Sequence, residues 1–137
     1  MKLALAFLAM MQAVTPPTVN LSGQLISIPL TTLPVPASTT NIYEVVVYMH
    51  QIEPCTEGRG SVVATIAWDE GIGRKRWRTA PLSLFKREKP DLIDITDKTR
   101  FRVADPTSIK YSTYLSGCPG GTYDLQITVL PDPKELP

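Results

Sequence analysis

Apolar residues recur at every second position along much of this chain. In Ile42 to His50 the odd positions Tyr43, Val45, Val47 and Met49 are apolar, and the even positions include Glu44 and His50. A period of two predicts a strand with one buried face. Val62 to Trp68 repeats the pattern, with Val62, Ala64, Ile66 and Trp68 facing in. Asp69-Glu70-Gly71-Ile72-Gly73 then reads as a hairpin turn, because two glycines supply the backbone freedom a tight reversal needs. Arg74 to Thr79 is predicted as the return strand, with Trp77 inward and Arg74, Arg76 and Arg78 outward.

The same reading extends in both directions. Gln24 to Leu30 is expected as the first strand, with Ile26, Ile28 and Leu30 on one face, and Thr31 to Asn41 as a connection rich in Pro, Thr and Ser. Pro81 to Phe85 and Leu92 to Thr96 are short strand candidates on either side of a charged turn. Phe101 and Val103 point in while Arg100 and Arg102 point out. Ile109, Tyr111, Thr113 and Leu115 share a face, as do Tyr123, Leu125, Ile127 and Val129. The sum is about eight or nine short strands at roughly ten-residue spacing, the signature of a sandwich or barrel. The 13 prolines sit mostly between the apolar runs, and no stretch holds a helical period for three turns without Pro or Gly. The expected fold is all-β: a single antiparallel β-sandwich, jelly-roll or immunoglobulin-like, over residues 24–130. Residues 14–23 are expected to be a flexible leader and 131–137 a flexible tail.

Residues 1–13 have the features of a signal peptide. Lys2 is followed by an unbroken apolar run from Leu3 to Met11, and Met11-Gln12-Ala13 offers a cleavage site. The run is too short to cross a bilayer as a helix. The alternative is an apolar N-terminus retained in the fold. Cys55 and Cys118 lie in turn-like stretches far apart in sequence, and in an exported protein two such cysteines most simply make one disulfide. Without histidine partners or a C-x-x-C they suit neither a metal site nor a redox pair. The expected location is secreted, periplasmic or at the cell surface.

Charge narrows the function. The formal net charge is +1, which argues against nucleic acid as a partner. His50 is the one histidine, and no catalytic motif accompanies it, so no catalytic residue, metal site or cofactor is assigned. Asp91, Asp94 and Asp97 alternate faces on a strand and converge poorly for calcium. Asp69 and Glu70 lack further ligands nearby. The run Arg74-Lys75-Arg76-Trp77-Arg78 stands out. Arg74, Arg76, Trp77 and Arg78 form the candidate ligand-binding strip, for an anionic polysaccharide or protein surface. Its alternative is an edge strand guarded against aggregation by charge. Arg100 and Arg102 extend the strip if their strand is adjacent. Outward Tyr114 is a candidate for stacking on sugar, and Asn20-Leu21-Ser22 is a glycosylation sequon.

Three stretches carry a resemblance: I-Y-E-V-V-V-Y at Ile42 to Tyr48, Val62 to Leu84 with its T-I-A-W-D-E-G hairpin, and Phe101 to Leu130 with I-K-Y-S-T and T-Y-D-L-Q-I-T-V-L. Together they resemble small β-sandwich modules of phage virion or tail-fibre-like proteins and of bacterial hypothetical proteins. The resemblance implies a binding or structural module and supplies no site residues. The leading expectation is a non-enzymatic exported binding or structural module, with homo-oligomers among its partners. The alternative is a phage structural component, a fibre head or decoration protein.

Overall fold

The alternation is realised strand by strand in the computed structural model, which describes residues 18–24, 27–86 and 94–131. Among these residues the strands are β1 (Val19–Gln24), β2 (Ile28–Thr32), β3 (Ile42–Glu53), β4 (Arg59–Gly71), β5 (Arg74–Phe85), β6 (Asp94–Arg102), β7 (Lys110–Gly117) and β8 (Thr122–Pro131). They form two four-stranded antiparallel sheets, ordered β1-β8-β3-β6 and β2-β7-β4-β5. Strands consecutive in sequence mostly lie in opposite sheets. That interleaving is the jelly roll, and it decides between the two sandwich types the sequence left open.

Both sheets bury the faces the pattern assigns. Tyr43, Val45, Val47 and Met49 of β3 and Tyr123, Leu125, Ile127 and Val129 of β8 meet Val62, Ala64 and Ile66 of β4 and Ala80, Leu82 and Leu84 of β5. Among the described residues two polar side chains are also enclosed, and both are hydrogen-bonded. Gln51 of β3 reaches across to β5, its Nε2 donating to the Phe85 carbonyl at 2.9 Å and its Oε1 accepting the Phe85 N–H at 3.2 Å. Thr113 accepts the Tyr123 hydroxyl at 3.2 Å and the Ile28 N–H at 3.0 Å. Burial, opposed by the Thr113 bond, raises the pKa of the Tyr123 phenol.

The connections divide between two ends. At one end the β3–β4 and β7–β8 connections are joined by the buried Cys55–Cys118 disulfide, with Cα atoms 4.7 Å apart. Gly121 has no room for a side chain there, because a Cβ would land on the Cys118 sulfur. At the other end lie the β4–β5 hairpin, the β2–β3 connection and a 3-10 turn over Pro106–Ser108. Asp105 caps that turn, its carboxylate accepting the Thr107 N–H at 2.9 Å; this bond holds its pKa below the usual carboxylate range.

Several expectations are corrected. The sandwich starts earlier than residue 24: Val19–Gln24, placed in the flexible leader, pairs with β8 as an edge strand. The expected first strand is therefore two strands in different sheets, and Leu30 is exposed rather than inward. Pro81 to Phe85 is not a separate strand but the lower half of β5. Pro131 belongs to β8. The expected signal peptide, Ile26, Asp91, Leu92 and the tail from 132 onward lie outside the described residues.

Candidate functional site

Trp77 faces the opposite way from its predicted orientation. The parity of β5 is fixed by its lower half, where Ala80, Leu82 and Leu84 are buried. Pairing with β4 runs without a register shift from Phe85 to Lys75, so Arg78 and Arg76 share the inner side and Trp77 stands on the outer face. The six residues from Arg74 to Thr79 alternate well by themselves, but the strand that contains them sets their facing.

On the inner side the arginines meet acids. Arg78 forms a two-pronged ion pair with Asp97 of β6, at 2.8 and 2.9 Å. It joins the edge strands of the two sheets across the open side of the sandwich. The hydrogen bonds from Arg78 hold the Asp97 carboxyl below its usual range, against a smaller opposing effect of burial. Arg76 pairs with Glu70 across the hairpin. Arg74 lies beyond them on the exposed hairpin. Arg100 and Arg102 are on the outer face of the other sheet, so they do not extend the strip.

The outer face of the β2-β7-β4-β5 sheet is where exposed apolar area collects. Trp77 is 68% exposed and Tyr114 is 66% exposed. Between their strands runs β4, whose outward residues Ser61, Val63, Thr65 and Ala67 are all small. Register places four rows across this face: Trp77, Ala67 and Lys110; Thr79, Thr65 and Ser112; Pro81, Val63 and Tyr114; Ser83, Ser61 and Ser116. A shallow trough therefore follows β4, with a ring rising on each side. The rings stand about 13 Å apart along the strands and about 10 Å across them. At the hairpin end the trough opens into a groove of about 490 Å³, walled by Trp77 and Leu30, floored by Ala67, and edged by Lys75, Lys110 and Ser108. At the disulfide end it passes a smaller recess beside Arg59, Ser61, Ser83 and Ser116. Large rings offer apolar area with little rotamer entropy to lose, and the hydroxyl rows between them offer hydrogen bonds.

The opposite outer face carries a different row. His50 stands in register between Asp94 of β6 and Asp124 of β8, and its ring lies nearly parallel to Tyr48 at 6.4 Å. Burial first, then the two carboxylates, raise the pKa of the Tyr48 phenol. Asp94 faces outward here and Asp97 inward, so the acids of β6 diverge. Among the described residues no three His, Cys, Asp or Glu side chains converge on a point that could hold a metal ion.

No family model matches the chain, and no curated protein does. Among solved structures, it is similar to TmCBM61 in complex with β-1,4-galactotriose, with 16% identity and a TM-score of 0.49, over 82% of this chain and 69% of that one.

Proposed function

We propose that this chain is a secreted, non-enzymatic module that holds an extended polysaccharide along the outer face of the β2-β7-β4-β5 sheet. One observation carries the reading: two highly exposed rings, Trp77 and Tyr114, flank a floor of small residues on a single sheet face. The apolar faces of sugar rings stack on such side chains, and the Ser and Thr rows match their hydroxyls. The spacing of the rings assigns them to separate sugars of one chain. Lys110 shares a row with Trp77 across Ala67 and has no acid opposite it in register, which favours an acidic polymer over a neutral one; Lys75, on the same face, stands opposite Asp69, and Asp105 also lines the groove. The buried disulfide supports an oxidising compartment.

Retention on a panel of immobilised neutral and acidic polysaccharides tests the reading. Trp77→Ala and Tyr114→Ala should each weaken binding by roughly tenfold. Lys110→Gln should reduce retention of acidic chains alone, and more so at low salt. Unchanged retention in both ring variants would reject this face as the site.

A further inference from the structure

The β4–β5 hairpin turns through two residues, Ile72 and Gly73, flanked by the pair Gly71 and Arg74. Both central residues have positive φ, +57° at Ile72 and +71° at Gly73, as a type I′ turn requires. Asn or Gly suits the first position, whereas a β-branched side chain there is a steric outlier. Ile72 is also fully exposed, so neither local geometry nor core packing accounts for an isoleucine. Its nearest charged neighbours are Glu70 and Arg74: Glu70 is paired with Arg76, whereas Arg74 has no acid opposite it in register.

The same end of the sandwich holds a matching recess. Leu33, Pro34 and Val35 of the β2–β3 connection and Pro106 of the 3-10 turn line a small apolar hole of about 200 Å³, with Thr32 and Thr107 at its rim. Asp105 adjoins Pro106, and its carboxylate is kept in place by the Thr107 N–H. An apolar knob beside a cation and an apolar hole beside an anion thus sit on one end of one chain. Such self-complementarity points to a second copy as the occupant. Because knob and hole share an end, a two-fold axis can satisfy both contacts at once and the assembly closes.

We propose that two copies of this chain associate end to end, each inserting Ile72 into the Leu33–Pro106 hole of the other, with Arg74 facing the partner copy's acidic rim. The strained turn is kept for what its side chain contacts in the pair.

Sedimentation equilibrium over a wide concentration range tests this. The wild type should dimerise reversibly, and Ile72→Gly should weaken the dimer by at least about tenfold. Thermal melting of Ile72→Gly should match or exceed the wild type, which separates lost contact from lost fold. Thr107→Trp, which fills the hole from its own chain, should weaken self-association equally. A mixture of the two variants should associate more tightly than either alone, because one knob and one hole remain. A wild type that stays monomeric at its highest soluble concentration, or a dimer indifferent to Ile72→Gly, would overturn the proposal.

Discussion

Gln51 is an amide enclosed among hydrocarbon side chains, and its position in β3 continues the inward parity of Val45, Val47 and Met49. It is tolerated because both ends of the amide are matched to Phe85 on β5, the edge strand of its sheet, where the Phe85 carbonyl also accepts the Cys55 N–H at 3.1 Å. A side chain of one sheet therefore completes the backbone of the other. Replacing it with an apolar residue of similar size removes both amide bonds to Phe85 from an enclosed part of the sandwich, while the Phe85 carbonyl keeps the Cys55 N–H. Gln51→Leu should cost about 2 kcal/mol in denaturant unfolding, with little change in the denaturant slope. A loss near zero would mean that water reaches Phe85 once the amide is gone.

At the scale of elements, the sandwich is closed differently on its two sides. β1 and β2 bring small and apolar residues to one edge, whereas β5 and β6 meet through Arg78 and Asp97. The Asp97 carboxyl is held below its unfolded value, so its contribution to stability is complete above the unfolded pKa and is lost as pH falls through the folded one. Unfolding free energy should therefore fall as pH drops below about 4, and Asp97→Asn should remove part of that slope while lowering stability at neutral pH. Asp105 titrates in the same window and leaves a residual slope. Identical acid limbs in the two proteins would show that the edge is closed by packing alone. The same strands mark the limits of what the sequence discloses. Long alternating runs such as β3, β4 and β8 are legible, because one buried face imposes a period of two. Edge strands are not: β1 buries little, so Val19 and Leu21 carry too weak a pattern to separate from a leader. Trp77 was misplaced because half of β5 runs past the apolar core. There, charge sits on the inner side and an aromatic on the outer, reversing the usual sense of the alternation. The exposure of Tyr114 was readable from its parity in β7. Its position relative to Trp77 was not, because the strand order that makes them neighbours is not written in local sequence.

Over the whole molecule, the jelly roll makes β4 a central strand whose inner residues are core and whose outer residues are floor. That division allows the site to be blocked without touching the core. Thr65 lies midway between the Trp77 and Tyr114 rows, half-buried and facing outward between Thr79 and Ser112. Thr65→Met adds bulk there without adding charge or a ring to stack on. Since the side chain projects away from the other sheet, the melting temperature should stay close to that of the wild type. Binding should separate by ligand length. A chain long enough to reach both rings must cross Thr65, and its affinity should fall about tenfold, or roughly 1.4 kcal/mol. A short saccharide that covers only Trp77 never reaches the obstruction and should bind as before. If long and short ligands weakened together, the rings would belong to one compact pocket. If neither weakened, the chain would cross the sheet along a row rather than follow β4.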